Sequence, residues 1–165
     1  MNTKKDLENL GFKGFIPVKE LLSNIQVIPE ANGVYAVVRN NTSKPVFLEN
    51  GTGGHFKERN PNVDLDTLKD KWVDDTEILY IGKAGGGNSK NKLKKRIKQY
   101  LYFGNGKKIG HWGGRYIWQL KDSAELNFCW KETTADTLPR DEEFRLITEF
   151  KETHDGRLPF ANLRE

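Results

Sequence analysis

Cysteine and long apolar runs are nearly absent from this sequence. A single cysteine, Cys129, occurs in 165 residues, so the chain can form neither an internal disulfide nor a cysteine-based zinc site. No apolar run approaches the ~20 residues of a membrane-spanning helix, and no apolar signal-peptide core follows the first residues. We therefore expect an intracellular protein, most simply a cytoplasmic one without a membrane partner, with Cys129 buried in a strand.

Acidic residues are missing from one quarter of the chain. Residues 78–121 contain eleven lysines and arginines but no aspartate or glutamate. The rest of the sequence carries 16 of the 27 basic residues and all 23 acidic ones, so a segment of charge +11 accompanies a remainder of charge −7. Charge concentrated in this way attracts a polyanion to one face of a protein. The pattern indicates a surface for nucleic acid.

The apolar pattern predicts one small α/β domain over residues 1–165. Hydrophobic residues make up 36% and aromatic residues 11%, which is enough for a core and too aromatic for a disordered chain. Runs of β-branched and apolar residues predict three strands, at 34–38, 78–81 and 126–130. Residues 40–76 lack a clear period and are interpreted as an insertion that contains one helix at 65–72.

Helical spacing predicts a basic amphipathic helix that begins near residue 93 and ends at Gly104. Its apolar stripe consists of Leu93, Ile97, Tyr100 and Leu101. A short helix is predicted at 18–25. A later helix begins at Pro139, and its predicted core-facing residues are Phe144, Ile147 and Phe150.

Several side chains suit phosphodiester cleavage, a reaction that needs a base for the attacking water and a counter-charge for the phosphorus centre. The leaving oxygen also needs stabilisation, usually by a metal. Arg96 suits the counter-charge because a guanidinium is permanently charged and grips two phosphate oxygens at once. One carboxylate such as Glu143 is enough for Mg²⁺, which keeps waters and takes oxygens from the substrate.

Five short motifs follow one another in an order that resembles the GIY-YIG nuclease family. They are Gly33-Val34-Tyr35, Tyr80-Ile81-Gly82-Lys83-Ala84, Leu93 with Arg96, Ile97 and Tyr100, Glu143 with Leu146-Ile147, and Pro159-Phe160-Ala161-Asn162. The resemblance covers about residues 28–162. The same motifs also resemble those of the nuclease domain of the bacterial excision-repair incision subunit. Each motif alone is weak, whereas five in the same order are specific.

The resemblance implies a small three-stranded antiparallel sheet flanked by helices, and an endonuclease that depends on Mg²⁺ or Mn²⁺. Tyr80 would be the general base and Tyr35 would position water or phosphate, although either tyrosine could take the proton. Lys83 would lower the pKa of Tyr80, which is ~10 in a free tyrosine. Arg96 would clamp the phosphate and Tyr100 would contact it. Glu143 would bind the metal, and Asn162 would close the site from the C-terminal side.

Two insertions depart from the family pattern. Tyr35 and Tyr80 are separated by 44 residues, where the family has a much shorter connection, and further residues are inserted between Ala84 and Leu93. Surface insertions cost little stability because loop-closure entropy grows only logarithmically with length. We therefore expect an intact site, and the insertions leave its substrate open. Residues 53–57 of the first insertion could contact DNA or cap the protein.

Six further side chains are expected to contact nucleic acid, namely Lys92, Lys94, Lys95, Lys98, His111 and Arg115. The lysines occupy the faces of the basic helix away from its apolar stripe. His111 and Arg115 alternate with tryptophans, a pattern suited to stacking on bases and gripping phosphates.

The leading hypothesis is a metal-dependent endonuclease that acts on DNA. A non-catalytic nucleic-acid-binding module of the same fold is one alternative, although binding alone does not require Glu143. A structure-specific RNA nuclease is another. One active site cuts one strand, so a double-strand cut would need a homodimer or two successive nicks. Recognition would come from the insertion, from residues 104–121 or from a targeting protein.

Overall fold

The computed structural model describes residues 1–164 and contains a four-stranded antiparallel sheet flanked by helices. Its strands are β1 (Lys13–Pro17), β2 (Gly33–Val38), β3 (Ile78–Ala84) and β4 (Asn127–Glu132). They lie side by side in the order β1-β4-β2-β3. The three strands predicted from the sequence are present as β2, β3 and β4, and the predicted total of three is wrong by one.

Strand β1 has no periodic sequence signal because its backbone is irregular. Gly14 and Phe15 have positive φ angles of 96° and 56°, and the register against β4 shifts between Gly14 and Ile16. A bulge of this kind interrupts the two-residue alternation on which strand prediction depends. A Cβ atom on Gly14 would lie 2.7 Å from the Trp130 ring, so glycine also allows β1 to pack closely against β4.

Helices cover both faces of the sheet. The α-helices are α1 (Lys4–Asn9), α2 (Val18–Leu21), α3 (Leu65–Lys71), α4 (Leu93–Gly104) and α5 (Pro139–Glu152), and 3₁₀ segments occur at Ile25–Val27, Phe56–Glu58, Trp112–Gln119 and Ser123–Glu125. Alternate residues of β2 point to opposite faces, so Tyr35 and Val37 pack in the α4 layer while Val34, Ala36 and Val38 pack in the α5 layer. The helix predicted at 18–25 is shorter than expected, since α2 ends at Leu21 and a separate 3₁₀ turn begins at Ile25.

The predicted apolar stripe of α4 is fully buried, and Cys129 is buried in β4 as expected. In α5, Ile147 and Phe150 are buried but Phe144 is 62% exposed, so the prediction that Phe144 faces the core is wrong. At 3.6 residues per turn, Phe144 lies about 200° around the helix from the buried Leu146 and therefore points away from the sheet. No helix within residues 1–164 has both the length and the apolar character needed to cross a membrane.

The insertion at 40–76 is fixed against the rest of the chain. It contains α3, as predicted, and the side chain of Asp64 caps this helix by accepting from Thr67 N. The buried amide of Gln119 donates to the carbonyls of Leu48 and Val63. Gly54 N donates to Phe103 O at the C-terminal end of α4. This contact fixes Gly54 at the C-terminal end of α4, and a DNA contact by residues 53–57 stays a prediction.

Candidate active site

The two motif tyrosines lie on neighbouring strands at the centre of the sheet. Tyr35 of β2 pairs with Gly82 of β3, and Val37 pairs with Tyr80, so both rings project from the same face with their centres 5.8 Å apart. A Cβ atom on Gly82 would lie 2.7 Å from the Tyr80 ring and 2.8 Å from Tyr35 Cζ. Glycine at position 82 is therefore required by the close approach of the two rings.

Five of the seven predicted catalytic residues line one cleft of about 580 Å³. They are Tyr35, Tyr80, Lys83, Arg96 and Glu143. These side chains come from β2, β3, α4 and α5, which are far apart in sequence. The cleft thus brings together two cationic groups, a carboxylate and two phenols.

The loop after β3 connects the elements around this cleft. Gly85, Gly86 and Gly87 all have positive φ, at 75°, 88° and 55°, a conformation that residues with a side chain rarely adopt. Gly86 packs against the ring of Pro139 at the start of α5, where an added Cβ would lie 2.9 Å from Pro139 Cδ. Pro139 occupies the first turn of α5, and this contact places the start of that helix, with Glu143 one turn later, at the cleft.

Arg96 is held at the cleft by α4 and keeps most of its donors available. The first amides of the helix are satisfied by main-chain carbonyls, with Leu93 N donating to Ala31 O and Lys94 N to Pro29 O. The Arg96 Nη1 atom donates to Gln99 Oε1 at 3.2 Å and reaches Gly110 O at 3.5 Å. The remaining guanidinium donors have no hydrogen-bond partner within residues 1–164, which is the state required to bind two phosphate oxygens.

Neighbouring glutamates of α5 have opposite environments. Glu142 accepts hydrogen bonds from Lys131 and Arg145, and Arg145 lowers the pKa of Glu142 to about 2. Glu143 lines the cleft, and its ion-pair partner is Lys83, with Nζ 3.9 Å from Oε2. Burial raises the pKa of Glu143 despite the nearby charges of Lys83 and Arg96. Glu142 therefore fastens α5 to β4, while the Glu143 carboxylate is directed to the cleft.

The two tyrosines differ in their access to the cleft. Burial raises the pKa of Tyr80 to about 12, although the Tyr35 hydroxyl and the Arg96 charge lower it in part. The Lys83 ammonium group lies beside Glu143, and its expected effect on the pKa of Tyr80 stays a prediction. Tyr80 is 8% exposed and Tyr35 is fully buried.

His111 lies beneath the surface and does not form the nucleic-acid contact expected of it. Its Nε2 atom is 2.6 Å from the Tyr35 hydroxyl, and its ring stacks on Tyr100 with the ring centres 3.6 Å apart. Burial and the Arg96 charge hold the pKa of His111 well below its usual range, so the ring is neutral. The contact with His111 fixes the orientation of the Tyr35 hydroxyl, a role that an isolated histidine in a sequence does not reveal.

Tyr100 is also placed differently from its expected role. It is fully buried, and its hydroxyl donates to Gly114 O at 2.6 Å. The phosphate contact expected of Tyr100 is therefore corrected to a structural one, because its only polar atom is already paired inside the core. The Tyr100–Gly114 bond ties α4 to the 3₁₀ segment at Trp112–Gln119.

Asn162 lies behind β3 and does not line the cleft. Its side-chain oxygen accepts from Ile81 N at 3.0 Å and its amide donates to Ile81 O at 2.8 Å, while Ala161 N donates to Leu79 O. β3 is an edge strand, so these bonds satisfy main-chain groups that would otherwise lack a partner. Asn162 closes the edge of the sheet next to Tyr80 rather than the site itself.

Replacing Asn162 with alanine is expected to destabilise the fold by about 1–3 kcal/mol, because two buried main-chain groups of Ile81 lose their partners. Thermal unfolding measures the loss directly. Asn60, an exposed asparagine that bonds only to nearby Asn62, provides a matched control, and its alanine variant should unfold at nearly the parent temperature. Equal stability of both variants would contradict the structural role of Asn162.

The predicted lysine contacts lie together on one face of α4. Lys92, Lys94, Lys95 and Lys98 border a groove of about 520 Å³. Its one acidic neighbour is Glu30, which lies 3.6 Å from Lys94. Arg115 is half-buried and lies apart from this groove, over the ring of Trp112. The four lysines thus form a contiguous cationic surface on the helix that carries Arg96.

A divalent metal at the cleft would depend on Glu143. Residues 1–164 contain no group of three or more histidine, cysteine, aspartate or glutamate side chains suited to a metal. Mg²⁺ binds through one or two carboxylates together with waters and substrate oxygens. The Glu143 carboxylate, with Lys83 as its sole ion-pair partner in the described residues, fits that mode of binding.

Comparisons of this chain with protein-family models, with curated proteins and with solved structures find no match.

Proposed function

We propose that this protein is a divalent-metal-dependent endonuclease that hydrolyses phosphodiester bonds in DNA, with a GIY-YIG-like site. The observation that carries the proposal is the presence of Tyr80, Arg96 and Glu143 in a single cleft, each from a different element. A protein that only binds nucleic acid has no need for a carboxylate at the phosphate site, because a negative charge there repels the ligand. A hydrolase needs it to hold a metal.

In this mechanism Arg96 binds the scissile phosphate. Its free guanidinium donors can contact two non-bridging oxygens, and its charge offsets the negative charge that accumulates on phosphorus in the transition state. Lys83, 3.9 Å from Glu143, reduces the repulsion between that carboxylate and the phosphate. The lysines on the same helix guide the DNA backbone to the cleft.

Tyr80 takes the proton of the attacking water in this mechanism. Water attacks phosphorus, its proton passes to the Tyr80 phenolate oxygen, and the bond from phosphorus to the leaving sugar oxygen breaks. Tyr80 suits this role better than Tyr35, since Tyr35 is fully buried and its hydroxyl is 2.6 Å from His111. With a pKa of about 12, Tyr80 is mostly protonated at neutral pH, and the Arg96 charge favours the reactive phenolate.

Glu143 would hold the Mg²⁺ or Mn²⁺ ion of the proposed enzyme. A divalent ion at this position supplies positive charge that stabilises the leaving oxygen. Below its raised pKa, Glu143 becomes protonated and loses its capacity as a ligand. Binding of the metal should therefore weaken on the acid side of neutrality.

Cleavage of supercoiled plasmid tests the proposal directly. The wild-type protein is expected to nick or linearise the plasmid with Mg²⁺ and to leave it intact with EDTA. Arg96→Ala should reduce the rate by at least about 100-fold, because the transition state loses its main counter-charge. Lys13→Ala, which removes an exposed charge on β1 at the far side of the sheet, should cleave at the parent rate.

The same assay separates the alternatives. Plasmid binding without metal-dependent cleavage would favour a non-catalytic binding module. Cleavage of structured RNA in place of plasmid would indicate an RNA nuclease with the same site. An Arg96→Ala variant that is folded and as active as the wild type would overturn the assignment of the site.

A further inference from the structure

A cluster of two arginines and a tryptophan lies outside the cleft. The Cζ atoms of Arg59 and Arg115 lie 4.3 and 4.5 Å from the centre of the Trp112 ring. Arg59 belongs to the insertion at 40–76, and the other two residues begin the 3₁₀ segment after α4. We call these three residues the guanidinium–indole cluster.

Both arginines of the cluster lack a counter-charge. Within residues 1–164 neither guanidinium has a carboxylate within 4 Å, and Glu58, which precedes Arg59, forms no ion pair with it. Within the same residues 1–164, the Arg59 side chain makes no hydrogen bond, and the Arg115 side chain donates only to Trp112 O at 3.1 Å. The proximity of two like charges is unfavourable by itself. Cation–π attraction to the indole offsets part of this cost.

The insertion is fixed where it carries Arg59. Gly54 N donates to Phe103 O at 2.8 Å, and the Phe56 ring packs on Gly110, where an added Cβ would lie 3.0 Å from it. These contacts and the indole together reduce the freedom of the two guanidinium groups. Less entropy is then lost when they bind an anion.

The cluster lies close to the phosphate clamp of the cleft. Arg96 reaches Gly110 O at 3.5 Å, and Trp112 follows two residues later, a distance of at most ~7 Å along the chain. The cluster and Arg96 are therefore within roughly 20 Å of each other. At 3.4 Å per nucleotide, this separation is at most about six nucleotides along one strand.

We propose that Arg59 and Arg115, oriented by Trp112, form a second phosphate-binding site for a nucleic-acid backbone, beside the phosphate held at Arg96. This inference rests on the proposed function, because it takes the ligand of the cleft to be nucleic acid. One guanidinium group can bind two phosphate oxygens at once, with a geometry that an ammonium group does not reproduce. The insertion thereby gains a role in holding the substrate to one side of the cut.

Binding of a labelled DNA duplex of about 30 base pairs, followed by fluorescence anisotropy in EDTA at several salt concentrations, tests this site apart from cleavage. Arg59→Ala and Arg115→Ala are each expected to weaken binding about eightfold at 0.1 M salt and to reduce the salt slope by about one, which is the loss of one phosphate contact. Lys13→Ala should bind as the parent does. A duplex RNA of the same sequence should show the same losses, since phosphate contacts carry little information about the sugar or the bases.

Arg59 is exposed, so Arg59→Ala should fold even if the half-buried Arg115 proves important for stability. Parent-like affinity and slope in Arg59→Ala, or no duplex binding by the parent, would overturn the second site. Weakened binding in the variants without plasmid cleavage by the parent would support the second site and argue against the nuclease. Plasmid cleavage by the parent with unchanged binding in the variants would support the nuclease and argue against the second site.

Discussion

Glu143→Gln is expected to lose metal-dependent cleavage by a factor of at least about 1,000, whereas Glu142→Gln should cleave at the wild-type rate. The two side chains are adjacent on α5 and chemically identical, but only Glu143 lines the cleft with Arg96 and Tyr80. Glutamine keeps the size of the side chain and removes the charge that a divalent ion requires. Single-turnover cleavage of plasmid across a range of Mg²⁺ concentrations measures the effect.

Glu142→Gln also tests whether a loss of stability alone reduces the cleavage rate. Glu142 accepts from Lys131 and Arg145, so its replacement should cost about 1–3 kcal/mol of stability. Its folded pKa of about 2 lies below its ordinary value of 4.5. The stabilisation is therefore present above about pH 4.5 and is lost as the pH falls toward 2. Equal cleavage by Glu143→Gln and the wild type, with both proteins folded, would remove Glu143 from the mechanism.

The central part of the fold was predictable because its signals are local. The run Val34-Tyr35-Ala36-Val37-Val38 is apolar at every position and forms β2, which is buried on both faces. Helical spacing in α4 likewise identified the buried stripe. Strand β1 could not be predicted in this way, since a bulge at Gly14 and Phe15 removes its alternation and the strand is held by pairing with residues more than 100 positions away.

The candidate site, like the fold, was predictable from the sequence only in part. The motif order placed Tyr80, Arg96 and Glu143 in roles that require proximity, and the structure brings these side chains to one cleft. Burial was not predictable, because it depends on the packing of distant segments. His111 was expected to contact nucleic acid, and Tyr100, although part of the predicted apolar stripe, was expected to contact phosphate. The stacked rings of both residues lie inside the core instead. A histidine in a strongly basic segment resembles a surface contact until its tertiary neighbours are known.

Tyr80→Phe is expected to reduce the cleavage rate by about 100- to 10,000-fold, the usual contribution of a general base, and to change its pH dependence. The pKa of Tyr80 is about 12. At pH values below 12, each increase of one pH unit therefore raises the phenolate fraction about tenfold. The wild-type rate should therefore climb steeply between about pH 7 and 9 without reaching a plateau. The phenylalanine variant should lose this slope along with the rate.

Tyr35→Phe provides the matched control and decides between the two tyrosines. This change removes only the hydroxyl that contacts His111 Nε2 at 2.6 Å, so the variant should be slower through poorer positioning and should keep the alkaline rise of the wild type. A rise retained in Tyr80→Phe but lost in Tyr35→Phe would assign the base to Tyr35. A rise retained in both variants would mean that neither phenol takes the proton, and the base would have to be hydroxide or a metal-bound water.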